Sequence, residues 1–284
     1  STMASSPRST RRAADLGWYV LLTALSLVIL FPIYTTFIRA ISSPVPYLNS
    51  IKSGGGLTPV ELDWGVFWRV IKEPGFYRAM LLSAGTSTII VAAQLLTSVL
   101  AAYALVFIDF RGKKLAFALL VGTLLLPIEV TLIANIETVR DLSLFNSLAG
   151  LTAPFLAWGF GIFLLRQAFL GVPSELRDAA ELDGYGHLRF LFRVAVPISR
   201  PIIGSFVLIS FLAAWNQYVW PRFAADEESW QTIQVALRTF GQREVDQLNF
   251  GFAAAILSAL PLVALLIIFQ RQLIRGLTAG AVKG

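Results

Sequence analysis

The sequence is dominated by long intervals that contain no charged side chain. About 20 apolar residues in a helix cross the hydrocarbon core of a bilayer. Five intervals of at least 21 residues meet this length, and a sixth does so if Glu129 lies inside it. The predicted spans are residues 16–38, 79–107, 115–136, 142–165, 201–221 and 247–270. The pattern predicts an all-α membrane protein with six transmembrane helices.

Composition argues against a soluble protein and against an enzyme. Only 14% of the residues are charged, whereas soluble domains carry about 25%. The chain has no cysteine and a single histidine, His187, which leaves no disulfide, no thiolate nucleophile and no histidine cluster for zinc. No glycine-rich phosphate loop and no pair of carboxylates within a span is found. We therefore predict no catalytic residue and no metal site.

The distribution of basic residues predicts the orientation in the membrane. If the N-terminus is cytoplasmic, the segments on that side hold 14 of the 23 lysines and arginines and six of the 17 acidic residues. An excess of Lys and Arg in short loops marks the cytoplasmic side, so both termini are predicted to be inside (N-in and C-in). The net charge of +6 is then explained by the basic residues on the cytoplasmic side of the membrane, and it does not indicate a nucleic-acid partner. Residues 1–14 are predicted to be disordered, and residues 15–284 to form a single transmembrane domain.

The cytoplasmic segment 174–196 has a pattern of its own. Acidic residues recur at every third position at its start, where the helix dipole favours them, behind a predicted N-cap at Ser174. Gly184 permits a sharp turn, and a second short helix is predicted to end at Pro197. Two short helices joined at a glycine would form a rigid surface for docking into a cleft. The pattern alone fits a solvated amphipathic loop equally well.

This segment resembles the cytoplasmic coupling motif of ABC-importer permease subunits, in which Glu-Ala-Ala is followed by Asp-Gly and then by proline. It reads Asp178-Ala179-Ala180-Glu181-Leu182-Asp183-Gly184, with Pro197 thirteen residues after the glycine. The stretches 214–221 and 270–284 are similar to the carbohydrate uptake branch, specifically to the second permease subunit of maltose and glycerol-3-phosphate importers. The resemblance covers the chain from about residue 16 onward.

The resemblance implies a permease domain over 15–284 that forms half of a translocation pathway in a bacterial plasma (inner) membrane. Its implied partners are a homologous second permease, two copies of a cytoplasmic ABC ATPase and an extracytoplasmic solute-binding protein. ATP and Mg would bind at the partner ATPase, so this chain would bind no cofactor and would not itself be an enzyme. The implied solute is a carbohydrate or a glycerol-phosphate-type molecule.

The resemblance also assigns roles to residues. Asp178 stands where the family has glutamate; the charge is kept, the reach is shorter by one methylene, and Glu175 or Glu181 could share its contact with a basic residue of the ATPase. The C-terminal tail 276–284 would thread between the ATPase subunits. The residues implied to couple to the ATPase are Glu175, Asp178, Ala179, Ala180, Glu181, Asp183, Gly184 and Pro197, and those of the tail are Gly276, Thr278, Gly280 and Lys283.

Four residues are candidates for contact with the solute. Trp215, Asn216 and Gln217 could stack on a sugar and hydrogen-bond its hydroxyls, or the two amides could satisfy backbone groups at a helix end. Glu129 is a charged residue within a span, which is a functional candidate by default. It could instead be solvated near the outer interface or paired with Arg140.

Three other classes of membrane protein remain as alternatives. An ion-gradient-driven secondary carrier would need charged relay residues in several spans or an inverted repeat, and only Glu129 is of this kind. A membrane-bound enzyme would need clustered acid, base or metal ligands at one depth, which a single histidine does not favour. An ABC importer of another solute class would not be expected to carry the 214–221 and tail sequences.

Overall fold

The computed structural model describes the backbone of residues 8–279 and the side chains of residues 15–127 and 130–271. The described residues form fifteen α-helices, interrupted by short 3₁₀ turns and one π turn, and a single isolated β-bridge between Ser42 and Leu62. The helices are α1 (Arg8–Ile41), α2 (Pro44–Lys52), α3 (Gly65–Lys72), α4 (Pro74–Phe107), α5 (Lys113–Gly122), α6 (Ile128–Asp141), α7 (Leu148–Thr152), α8 (Gly159–Leu170), α9 (Ser174–Leu182), α10 (His187–Phe190), α11 (Val196–Ile198), α12 (Arg200–Trp215), α13 (Val219–Ala224), α14 (Ile233–Gly241) and α15 (Leu248–Ala279).

Three of the predicted spans are unbroken helices. Among the described residues, the stretches Asp15–Ile41, Pro74–Phe107 and Val245–Arg271 are each long and apolar enough to cross a membrane. Three bent helix pairs bring the candidate spans to as many as six. The all-α fold is therefore confirmed, with three to six membrane spans.

The other three predicted spans are broken, each for a local reason. Residues 115–136 are interrupted at Pro127, which lacks an N–H and disfavours a helical residue before it. Residues 142–165 begin as a turn in which Ser143 and Asn146 have positive φ, and the following helices are bent by 48° across the extended residue Trp158. Residues 201–221 stay helical only to Trp215 and continue after a break as α13.

The N-terminal boundary also differs from the expectation. Residues 8–14, which were predicted to be disordered, form the first two turns of α1. Extending an existing helix adds one hydrogen bond for each residue that is fixed, and Arg and Ala are good helix formers. Residues 1–7 of the predicted disordered segment lie outside the described residues.

The chain divides into two compact units. The single transmembrane domain over 15–284 stays a prediction. In the first unit, which comprises the described residues to Lys72 and residues 239–257, the loop after α2 returns to the end of α1. There Asp63 accepts hydrogen bonds from Arg69 and from Asn249, which fix the start of α3 and the start of α15. The hydrogen bond from Arg69 holds the pKa of Asp63 below its ordinary value of about 3.9. The carboxylate therefore stays charged through the physiological range.

Helix α1 shares little of the core of its unit. None of the residues in its most apolar stretch is buried, although that stretch has a mean hydropathy of 2.2. Exposed leucine, valine and isoleucine along a helix of this length indicate surroundings of lipid or of another membrane subunit.

The second unit, residues 73–238 and 258–279, is built around α4, α8 and α12. Leu165 and Phe206 are fully buried there with Ala102. Gly161 of α8 allows the three helices to approach closely, because a Cβ atom at this position would collide with the Phe206 ring and with Ser98 Oγ. The same hydrophobic cluster extends into the 174–196 segment, through Phe190 and Leu191.

Candidate functional site

A cavity of about 580 Å³ opens in the second unit between α4, α6, α8 and α12. Its polar lining consists of three amides, Gln94, Asn135 and Gln217, and three hydroxyls, Thr123, Thr131 and Ser210. Phe155 and Trp158 supply aromatic surface. None of the described lining residues is charged. Such a lining can hydrogen-bond hydroxyl groups and stack on the apolar face of a sugar ring.

Gln94 organises the polar wall of this cavity. Its Nε2 donates to the Phe155 carbonyl at 2.9 Å, and its Oε1 accepts from Ser210 Oγ at 2.7 Å. The residue is buried in the middle of α4, so both ends of the amide are satisfied where water is scarce. Gln94 was not among the residues predicted from the sequence. An amide in the middle of an uncharged span was the signal that could have identified it.

We expect Gln94→Leu to destabilise the protein by about 1–3 kcal/mol, because the Phe155 carbonyl and the Ser210 hydroxyl would lose their partner. Thermal unfolding in detergent measures the effect. Adding Ser210→Ala should recover part of the loss, since one of the unpaired groups is then removed. A lone Gln94→Leu variant as stable as the wild type would contradict this role.

The predicted solute-contacting residues do not converge on one site. Gln217 lines the cavity. Trp215 is only 3% exposed and donates through Nε1 to the Ser258 carbonyl at 3.2 Å. Asn216 donates to the Leu212 carbonyl at 2.9 Å at the end of α12, which is the backbone role considered as its alternative. The side chain of Glu129 lies outside the described residues.

The 174–196 segment contains the two predicted helices and the predicted turn. Gly184 has φ +72° and ends α9 in a Schellman motif, in which Tyr185 N donates to the Ala180 carbonyl at 2.8 Å and Gly184 N to the Glu181 carbonyl at 3.0 Å. The predicted N-cap differs, because Pro173 occupies that position and Ser174 is the first helical residue, with no side-chain cap. The second helix runs from His187 to Ile198 and contains a π turn at Leu191–Ala195, just before Pro197, which has no N–H to donate.

The predicted coupling residues lie on two faces of this element. Ala180 is buried in the hydrophobic cluster beside Tyr185, and Pro197 is half-buried at the far end. The exposed face carries Leu182, which is 90% exposed. The remaining predicted coupling residues are exposed as well: Glu175, Asp178, Ala179, Glu181, Asp183 and Gly184.

A contact that the sequence did not reveal joins this element to a predicted span. Tyr103 of α4 and His187 Nδ1 are 3.0 Å apart, and Tyr103 also packs against Phe190. The only histidine of the chain therefore fixes the second helix of the element to α4. The element is attached to the core through Ala180, Phe190 and Leu191, while its Gly184 tip is exposed.

The structure describes only some of the predicted tail residues. Gly276 and Thr278 belong to α15, which continues to Ala279. The side chain of Thr278, and Gly280 and Lys283 altogether, lie outside the described residues.

Comparison with known proteins identifies relatives over almost the whole chain. Residues 3–279 match the family described as binding-protein-dependent transport system inner membrane component. The sn-glycerol-3-phosphate transport system permease protein UgpE of Yersinia pestis bv. Antiqua (strain Antiqua) is 32% identical over 275 residues, which cover 94% of this chain and 97% of that protein. The protein of the same name from Brucella abortus (strain 2308) is 30% identical over 278 residues, with the same coverage.

Two solved structures share the fold. A bacterial ABC transporter involved in the import of the acidic polysaccharide alginate aligns with a TM-score of 0.81 and 23% identity over 95% of this chain and 99% of that chain. The bacterial alginate ABC transporter in complex with an alginate pentasaccharide-bound periplasmic protein aligns with a TM-score of 0.60 and 13% identity over 92% and 94%. The resemblance drawn from the coupling motif is thus confirmed. The chain belongs to the family of binding-protein-dependent transport system inner membrane components, and it is a multi-pass permease subunit of an ABC importer.

Proposed function

We propose that the chain crosses the membrane six times, with both termini in the cytoplasm, and forms half of the translocation pathway of an ATP-driven importer. Its proposed partners are a homologous second permease, two copies of a cytoplasmic ABC ATPase, which bind ATP and Mg, and an extracytoplasmic solute-binding protein. The observation that carries the proposal is the 174–196 element, whose base is packed into the core and whose tip is exposed. A rigid tip of this kind can transmit a push from another subunit.

The proposed solute is rich in hydroxyl groups and is of the carbohydrate or glycerol-phosphate type. The uncharged cavity lining of amides, hydroxyls and aromatic rings favours this class. The relatives are named for sn-glycerol-3-phosphate transport. Because the described lining offers no counter-charge, we propose that a phosphate group, where the solute has one, is bound by residues outside this set.

Purification through a tag on this chain tests the assembly. We expect the second permease and the ATPase to co-purify and ATP hydrolysis to be stimulated by solute-loaded binding protein. A chain that purifies alone and transports solute on an ion gradient would refute the importer and favour a secondary carrier.

A substitution at Gln217 tests the proposed pathway. We expect Gln217→Leu to weaken solute transport about three- to tenfold, the usual effect of losing one hydrogen bond. Uptake of labelled solute into proteoliposomes at several concentrations measures the loss. Gln242→Leu is the matched control, because Gln242 is exposed and lies outside the cavity lining. Equal transport by the two variants would contradict a role for Gln217.

A further inference from the structure

A second cavity of about 550 Å³ lies between the start of α12 and the later part of α15. Its apolar lining consists of Pro201, Ile203, Val207 and Phe269, and Gly204 lines it as well. Arg200 and Arg271 also line it. Residues 200, 203, 204 and 207 share one face of a helix, and Arg271 follows Phe269 by two residues. Arg200 is the first residue of α12 and Arg271 belongs to α15, so both helices contribute a basic residue to the lining of this groove.

The two arginines bring uncompensated positive charge to this groove. Both side chains are exposed, and within the described part of the chain neither takes part in a salt bridge. Two like charges that line one cavity without a carboxylate repel each other, and an anion between them relieves that repulsion. Arginine in particular presents a planar donor fork that matches phosphate oxygens.

The apolar part of the groove restricts the kind of anion. Helix α15 belongs to a stretch with a mean hydropathy of 2.7, only 17% of which is buried, so this chain leaves most of that apolar surface uncovered. A small soluble anion would use the two arginines and leave Ile203, Val207 and Phe269 uncovered. A ligand with an anionic head and an acyl chain satisfies both parts, and basic pockets between membrane helices are known to take such lipids.

We propose that this groove binds an anionic phospholipid such as phosphatidylglycerol, with its phosphate between Arg200 and Arg271 and an acyl chain along Ile203, Val207 and Phe269. The assignment to a leaflet rests on the proposed function, because in the N-in orientation this end of α12 and α15 faces the cytoplasm. The lipid would bridge α12 and α15 beside the base of the 174–196 element.

The test is retention of lipid by the purified full-length protein together with its co-purifying subunits. The protein is exchanged into detergent with phosphatidylglycerol or phosphatidylcholine, and bound lipid is counted by native mass spectrometry. We expect the wild type to prefer phosphatidylglycerol, and each of Arg200→Gln and Arg271→Gln to lower its affinity about fivefold, the usual contribution of one basic residue near an anionic membrane.

Two further variants separate this site from general electrostatic attraction. Arg111→Gln removes the same charge from an exposed position outside the groove, and we expect it to retain wild-type preference. Gly204→Leu fills the groove without changing the charge, and we expect it to lower retention of phosphatidylglycerol as well. Wild-type retention by the Arg200→Gln, Arg271→Gln double variant, or an equal loss in Arg111→Gln, would overturn the proposal.

Soluble glycerol-3-phosphate distinguishes a lipid from a free phosphate ligand. It presents the same phosphate without acyl chains, so we expect it to leave the bound lipid in place at matched concentration. Displacement at that concentration would overturn the lipid assignment. These measurements need neither ATP, solute nor binding protein, so failure of the lipid site and failure of the importer proposal are separate results.

Discussion

The substitution Gly184→Trp is expected to abolish stimulation of ATP hydrolysis by solute-loaded binding protein while the subunits stay assembled. A Cβ atom at Gly184 would meet no atom of this chain within 4 Å. The cost within the chain is therefore confined to the positive φ of +72°, roughly 1–2 kcal/mol for an L residue. The indole would instead occupy the exposed tip of the 174–196 element, where we propose that the ATPase docks. ATPase assays on the purified complex, with and without solute-loaded binding protein, measure the effect.

The matched control is Gly112→Trp. Gly112 has a similar φ of +84° and equally open surroundings, and it lies in the loop between α4 and α5, on the same proposed side of the membrane. Backbone strain and added apolar surface are thus the same in both variants. We expect Gly112→Trp to retain stimulation. Full stimulation of the Gly184→Trp complex would refute the docking of this tip.

The second large effect is expected from Gly161→Ala, which should destabilise the protein by about 1–3 kcal/mol or more. The added methyl group would collide with the Phe206 ring and with Ser98 Oγ, and both residues are fully buried. Neither can move away without displacing the packing of α8 against α4 and α12. Thermal unfolding in detergent, followed by loss of the monodisperse peak on size exclusion, measures the change.

Gly85→Ala provides the opposite expectation. Gly85 lies in the middle of α4, and a Cβ atom there would have nothing within 4 Å. Because alanine is a better helix former than glycine by about 1 kcal/mol, this variant should be at least as stable as the wild type. If both glycine variants unfold at the wild-type temperature, α8 does not pack as closely as described.

The features that could be predicted from the sequence are those that depend on a single property of consecutive residues, such as the length of an uncharged interval or the presence of a glycine. Helices α1, α4 and α15 follow from the length of uncharged intervals. The turn at Gly184 follows from the preference of positive φ for glycine. The breaks at Ser143 and Trp215 were not predicted, because a count of apolar residues records hydrophobicity and not the hydrogen bonding of the backbone. A break in a helix leaves the number of apolar residues unchanged, so this count cannot locate it.

The candidate site was predicted only in part, because its contacts join distant parts of the chain. Gln94 bonds to the Phe155 carbonyl 61 residues away, and Trp215 to Ser258 43 residues away. No periodicity within one helix indicates such partners. Trp215 stays a predicted solute contact, and its indole N–H donates to the Ser258 carbonyl, a partner that no pattern in the sequence indicated. The coupling segment was easier to predict since its residues are consecutive.

The bend at Ser199 has a mechanical consequence. The helix His187–Ile198 meets α12 at 82°, and both helices contribute to one hydrophobic cluster, through Leu191, Ala195 and Phe206. The two helices therefore form an angled lever. At about 1.5 Å per residue, its short arm, His187–Ile198, is about 18 Å long and its long arm, α12, is about 24 Å long. A rotation about this corner that lifts the free end of the short arm swings the free end of the long arm sideways, by about 1.3 times the distance from the ratio of the two lengths. The stiffness of this corner, more than the strength of any one contact at the tip, would then determine how much of a movement of the 174–196 element is transmitted along α12 to the cavity.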